Sequence, residues 1–230
     1  MKTILQKIGM LIAVLCASIS SYAYDIEIDG IYYNVDLSNM TASVTSGDKE
    51  YSGAVIIPSP IVYNNREFSV VSIENYAFYN CTNLKSIIMA NTITMVGANS
   101  VLAIPPGPFT GCTGLEKVIL SESTKLIGDR AFEDCTKLTD IVIPSSVTSI
   151  EYGAFYGCTN LTNVDLTGSS LEYIGQYAFC RCSSLTSVNI PNSVTQIESY
   201  AFYGCSSLTS VNIPNSVTQI ESYAFYGCSS

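Results

Sequence analysis

Apolar and polar positions repeat along most of this chain with a nearly fixed period, and phenylalanine marks the phase. Phe78, Phe109, Phe132, Phe155, Phe179, Phe202 and Phe225 are separated by 31, 23, 23, 24, 23 and 23 residues. Counted from each Phe, Cys stands at +3 in all seven units and Leu at +6 wherever the chain extends that far. Ile or Val occupies +9, and Ile, Leu or Met occupies +11. Further apolar positions fall near +15 and +18, and most units close on Ala-Phe. Residues 206–228 repeat 183–205 letter for letter. Such self-similarity marks a stacked-repeat architecture.

The offsets predict the local structure. In Leu185-Thr186-Ser187-Val188-Asn189-Ile190, apolar residues at +9 and +11 alternate with polar ones, the pattern of a strand with one buried face. Pro191, like Pro144 and Pro214, ends this strand because it has no N–H to give a ladder. Val194–Ile197 predicts a second short extended piece on the other side of the coil. Glu198–Gly204, with its Ala-Phe-Tyr-Gly run, predicts one helical turn, too short to stand alone. A unit with two such faces must coil once and stack, advancing about 4.8 Å per coil, the spacing of hydrogen-bonded strands. The prediction is a repeat solenoid, mainly β with short helical turns, over residues 71–230.

Residues 24–70 do not follow the repeat and predict a small β-hairpin cap. Ile26 and Ile28 alternate with acids, Asp29-Gly30 interrupts, and Ile31–Val35 resumes, a strong signal for a two-residue hairpin. Met40–Thr45 predicts a third strand, Gly47-Asp48 a turn, and Tyr51–Ile57 a fourth strand. Ile61–Tyr63 and Phe68–Val71 flank Asn64-Asn65, a second tight turn. A solenoid needs such a cap, because its first coil otherwise exposes an apolar face and unpaired strand groups.

The N-terminus changes the picture of where the protein works. Lys2 and Lys7 precede the apolar run Ile8–Ala17, and Ser21-Tyr22-Ala23 supplies small residues at the positions a signal peptidase reads. Residues 1–23 are therefore predicted to be a secretory signal peptide cleaved near Ala23, giving a secreted or cell-surface protein. The run is too short to span a bilayer, and no second long apolar run follows, so no transmembrane helix is expected in the mature chain. Composition narrows the partners. Charged residues make up 13% of the chain and apolar ones 47%, too apolar for disorder and poor in charge. The net charge is −9 with no basic run, which argues against nucleic acid. His and Trp are absent, and with them the commonest general base and the strongest aromatic anchor.

The pattern C-x-x-L-x-x-V-x-I-P-x-S-V-x-x-I-x-x-x-A-F, at Cys182–Phe202, resembles the 23-residue BspA-like leucine-rich repeats of bacterial and some protist surface proteins. The resemblance covers about residues 55–230, and Asp29-Gly30-Ile31-Tyr32-Tyr33 is similar to that family's usual opening. It implies a right-handed leucine-rich-repeat coil of about six 23-residue units, with Cys at +3 where other leucine-rich repeats carry Asn or Cys. It also implies an exported or surface adhesive protein that binds host matrix or other proteins.

Cys16 falls in the leader, and eight of the nine cysteines remain. An even count in an exported chain permits disulfides. A Cys at one fixed inward phase of every coil instead predicts a ladder of free buried thiols. Cys180 stands apart at +1, where other units carry Tyr79, Tyr156, Tyr203 and Tyr226, and is expected to be the most exposed thiol.

Three features are candidate binding surfaces. The outward +10 series begins with an apolar stripe, Ile88, Ile119 and Val142, and then turns polar at Asp165, Asn189 and Asn212. The competing explanation is that β-branched residues simply suit a flat sheet. Tyrosines flank the Ala-Phe pairs, among them Tyr156, Tyr177, Tyr200 and Tyr203, and such a row either binds protein or sugar or merely covers an apolar edge. An insertion before Phe109 contains the apolar, Pro-rich loop Val101–Pro108, which either projects as a binding loop or folds back over a neighbouring coil. No phosphate loop, metal-ligand cluster or nucleophile elbow is present, so neither enzyme activity nor any cofactor or metal is expected. Asp140 and Asp165 lie on adjacent units at the exposed phase, but an open sheet offers a carboxylate pair no water-excluding pocket. Two functions follow. One is a binding or adhesion module that recognises host or neighbouring-cell protein or glycan through the solenoid face. The other is a structural, self-associating repeat protein joined through its open C-terminal coil.

Overall fold

The computed structural model describes residues 24–100 and 103–228, and all its regular elements are strands. The expected leader lies outside the described residues. The cap begins with β1 (Ile26–Ile28), β2 (Ile31–Asp36) and β3 (Thr41–Thr45), paired antiparallel in that order. Asp29 and Gly30 join β1 to β2 at φ 51° and 78°, the left-handed conformation that a two-residue hairpin turn needs. β5 (Ile61–Tyr63) and β6 (Arg66–Ile73) pair antiparallel across Asn64 and Asn65, which are left-handed as well. β6 also runs parallel to β3. The cap therefore passes its hydrogen bonding straight into the coils.

Each coil contributes two strands, one to each of two sheets. The first sheet continues from β6 through the two-residue strands β8 (Met95–Val96), β10 (Leu126–Ile127), β12 (Ser149–Ile150), β14 (Tyr173–Ile174), β16 (Gln196–Ile197) and β18 (Gln219–Ile220). Every step is parallel and in phase, so Val96, Ile127, Ile150, Ile174, Ile197 and Ile220 stand one above the next. The second sheet is built at the +8 to +10 phase. It consists of two ladders set side by side, β4 (Gly53–Ile56), β7 (Leu84–Ile88) and β9 (Lys117–Ile119), and then β11 (Asp140–Val142), β13 (Asn163–Asp165), β15 (Ser187–Asn189) and β17 (Ser210–Asn212), with β11 beside β9. Here one expectation is refined. β4 is not a fourth strand of the cap meander; it pairs parallel with β7 and opens the second sheet.

The Ala-Phe segments are not helical turns, and that expectation is corrected. In Glu198–Leu208, Ala201 N, Tyr203 N, Cys205 N and Leu208 N donate to carbonyls three residues back. Between them, Phe202 N donates to Ala224 O and Gly204 N to Tyr226 O, both in the next coil. A helix would need those N–H groups for itself. The geometry comes from two left-handed residues per turn, here Tyr200 at φ 61° and Gly204 at φ 71°, which break any right-handed continuation. The same left-handed position is filled by Gly111, Gly157 and Gly227, and by Asn80, Asp134 and Arg181 in other coils.

The core is a set of side-chain ladders. Phe78 through Phe225 stack ring on ring with centroids 4.9–5.3 Å apart and planes within 10°. Tyr51 extends the stack into the cap, 4.4 Å from Phe78. The ring spacing agrees with the expected rise per coil. Each +3 thiol from Cys112 onward donates to the Phe carbonyl of the preceding coil, at 3.0–3.3 Å. That carbonyl also accepts the N–H of the Cys in its own coil, as Phe132 O does from Cys135 N and Cys158 Sγ. The +3 phase therefore wants a small side chain with a donor, and all eight cysteines there and at 180 are free.

Candidate functional site

On the exposed face of the second sheet, the +10 residues stand in register. Ile56 faces Ile88, and Ile88 faces Ile119. β11 lies beside β9 and brings Val142 to the same phase of the next coil, with Asp165 facing it on β13. Ile56, Ile119 and Val142 are 64%, 40% and 65% exposed, and Ile88 is half-buried between its neighbours. The stripe therefore has four members. Sequence reasoning missed Ile56 because β4 precedes the repeat, although the alternation Ala54, Ile56 outward and Val55, Ile57 inward was there to be read. Asp165 ends the stripe as a half-buried carboxylate whose Oδ1 accepts the N–H of Thr167 at 2.9 Å. Asp140 pairs with Asn163 and not with Asp165, so the two carboxylates do not oppose each other. Flanking the stripe, Thr162, Thr186 and Thr209 each donate a hydroxyl to the Thr carbonyl one coil back, which ties down the side of the sheet.

The tyrosines form two columns in the turns. Tyr152, Tyr177, Tyr200 and Tyr223 make one, with centroids 5.4, 4.7 and 5.2 Å apart and the last two steps nearly parallel. Tyr203 and Tyr226 make the other, 5.4 Å apart, and Tyr200 bridges to Tyr203 at 5.7 Å. Tyr156 occupies the phase of the second column two coils before Tyr203, with Cys180 between them, and its ring face is covered by the Arg181 guanidinium at 5.6 Å. Tyr177, Tyr200 and Tyr203 are thus brought together, and Tyr156 is held apart. Because their π faces lie on one another, the columns present ring edges and hydroxyls outward. A sugar has few free faces on which to stack.

Cys180 is corrected too. It is 2% exposed, while Cys228 is the only thiol among the described residues that is not buried. Cys180 lies between Tyr156 and Tyr203 in the column, linked by Gly157 N to Cys180 O and by Arg181 N to Tyr203 O. Burial pushes its pKa up to about 11.

The described part of the insertion folds back. Gly107 packs on the backbone of Arg130, and Pro108 O accepts Phe78 N at 2.8 Å. Ser100 N donates to Asp129 Oδ2 at 2.7 Å, and Asp129 Oδ1 takes Tyr152 N at 3.1 Å. Asp129 is 2% exposed, and burial holds its carboxyl above the usual range. Glu151 is buried nearby, and burial raises its carboxyl likewise, with Asp129 adding to the rise and Ser149 opposing it. This acidic pair anchors the loop and was not singled out from sequence. Val101 and Leu102 lie outside the described residues. Among the described residues no group of three or more metal-type ligands converges, and no helix is long and apolar enough to cross a membrane.

Comparison with known proteins agrees with this architecture. The chain belongs to the BspA-type leucine-rich repeat family, whose model matches residues 61–102 and 102–230 in six copies. The crystal structure of a leucine-rich repeat protein from T. pallidum superposes with a TM-score of 0.75 at 26% identity, covering 89% of each chain. A leucine-rich cell surface protein from Faecalibacterium prausnitzii A2-165 superposes with a TM-score of 0.75 at 31% identity over 91% of this chain and 53% of the other. A leucine-rich repeat protein from Eubacterium ventriosum ATCC 27560 gives 0.67 at 28% identity over 90% of this chain and 51% of the other. This chain spans about half the length of the last two. No curated protein matches it.

Proposed function

We propose that this protein is displayed outside the cell and docks a partner protein on the apolar stripe of its second sheet. The observation that carries the reading is the in-register row Ile56, Ile88, Ile119 and Val142, three of them exposed and Ile88 half-buried, on a parallel sheet face. Buried elsewhere in the molecule, β-branched side chains stabilise the fold; here they are solvated, and covering them would contribute about 25 cal/mol per Å². Exposed contiguous apolar surface of this kind marks interaction sites. The leader-like N-terminus and the cell-surface description of the F. prausnitzii neighbour support an extracellular setting. A repeat scaffold with no His, whose interacting acids Asp129 and Glu151 are buried beneath the insertion, favours recognition over catalysis.

The test is an array of purified extracellular-matrix proteins and glycans probed with the wild type and with an Ile119→Glu/Val142→Glu variant. At least one protein should bind the wild type and lose tenfold or more in affinity with the variant, whose melting temperature stays close to wild type. Equal binding by both, or binding confined to glycans, would overturn the reading. One observation favours a second reading, end-to-end self-association. Ile213, Ile220 and Tyr223 are 39%, 49% and 56% exposed on the last described coil. A further coil or a second copy would cover them, and light scattering across concentrations distinguishes a monomer from an association series.

A further inference from the structure

The second sheet has one edge that the cap leaves open. β4 is the terminal strand of the β4–β7–β9 ladder, whereas β1, β2 and β3 extend the first sheet at the same end of the molecule. Ile57 N donates to Ile88 O at 2.9 Å, so along the extended chain Val55, two residues earlier, faces β7 as well. Ala54 and Ile56 alternate with them and turn their N–H and C=O groups to the open edge. Edge strands are commonly blunted by Lys, by Pro or by a bulge that twists them away. The four residues of β4 include no Lys and no Pro, and the register shift at Gly53/Ala54 precedes the open stretch. Beside this edge runs a groove of about 480 Å³, lined by Ala54 and Ile56, by the Asp29–Ile31 turn, and by Tyr51 and Pro58. That volume is within the range of sites that hold a peptide segment or small molecule.

We propose that this edge is a docking site that takes an extended segment of a partner protein as an added strand beside β4. Only an extended backbone presents donors and acceptors at the alternation that Ala54 and Ile56 require. The groove's charge describes the segment further. Asp29 and Glu50 are exposed along it, while Lys49 is occupied by Glu27 at 3.7 Å. The preferred segment is therefore apolar at alternate positions and basic at its ends. The site uses the backbone of the edge and shares only the Ile56 side chain with the stripe on the sheet face.

The probe is a fluorescent nonapeptide of alternating Thr and Val flanked by Lys, with a control of the same length carrying Pro at alternate positions. Fluorescence anisotropy on the purified protein should show saturable binding of the first and at least tenfold weaker binding of the second. Ala54→Pro removes an outward N–H and should cost tenfold or more; Ala54→Lys should do so as well, and it carries the test if the Val55 amide of Ala54→Pro loses its exchange protection. Val142→Glu should leave peptide binding unchanged. In hydrogen exchange, the Ala54 and Ile56 amides should be fast in the free protein and slow with peptide, with Val55 slow throughout. Binding within twofold of wild type for both Ala54 variants would overturn the proposal, as would loss of binding in Val142→Glu, which would move the peptide to the stripe. A dimer whose Ala54 and Ile56 amides are protected before peptide is added would assign the edge to a second copy and equally overturn it.

Discussion

At the scale of single residues, the chemistry of this protein is set by depth. Seven of the eight described cysteines are buried, and burial raises each of their thiol pKa values, that of Cys180 to about 11. A thiol that stays protonated and covered does not react. Under native conditions an alkylating reagent should therefore label Cys228 first, with the other seven reacting only on unfolding; mass-mapped labelling in which Cys180 keeps pace with Cys228 would contradict this. The acids beneath the insertion give a second prediction. Burial first, and then the charge of Asp129, hold the Glu151 carboxyl above its ordinary range. A carboxyl raised in the folded state binds its proton more readily there than in the unfolded chain. Its ionised form thus costs stability at neutral pH, and the cost disappears as pH falls through the carboxylate range. Glu151→Gln should raise the melting temperature at pH 7, by roughly 2–4 °C per kcal/mol relieved, and the gain should vanish toward about pH 4. Melts at several pH values decide it, and a gain that grows toward acid would sink the assignment.

At the scale of elements, two identical stretches of sequence are not energetically equal. Val188 and Val211 occupy the same place in units that match letter for letter. Val188 is 2% exposed, with β13 on one side and β17 on the other, while Val211 is half-buried with β15 on one side only. Val188→Ala should cost about 2 kcal/mol and Val211→Ala less than about 1 kcal/mol. Urea titration of the two variants checks the difference, and equal costs would mean that stacking from both sides is not what buries these residues. The strands themselves were legible in sequence because alternation at +9 and +11 reports burial residue by residue. The turns were not. Ala-Phe-Tyr-Gly has the composition of a helical turn, and nothing local tells that Tyr200 is left-handed or that Phe202 N–H bonds to the next coil.

For the whole molecule, stability should accumulate coil by coil, since each unit touches only its neighbours. Deleting residues 183–205 joins the chain to an identical copy of what was removed. The product should keep the same circular dichroism shape and unfold in urea with an m-value lower by about a tenth, in proportion to the surface lost; failure to fold cooperatively, or an unchanged m-value, would contradict a stack of near-independent coils. The sites divide along the same line as the fold. Ile88, Ile119 and Val142 were legible because one phase of one repeat determines which way they point. Ile56 and the open edge of β4 were not, because they depend on which sheet β4 joins. The sequence by itself determined the period, the inward phases, two strands per coil and the hairpins of the cap, since each is encoded by local alternation and turn chemistry. Only the tertiary structure decided that β4 starts the second sheet, that Cys180 is buried, and that the Ala-Phe turns bond between coils. Each of these depends on what a distant segment places alongside, and a local pattern carries no record of its future neighbour.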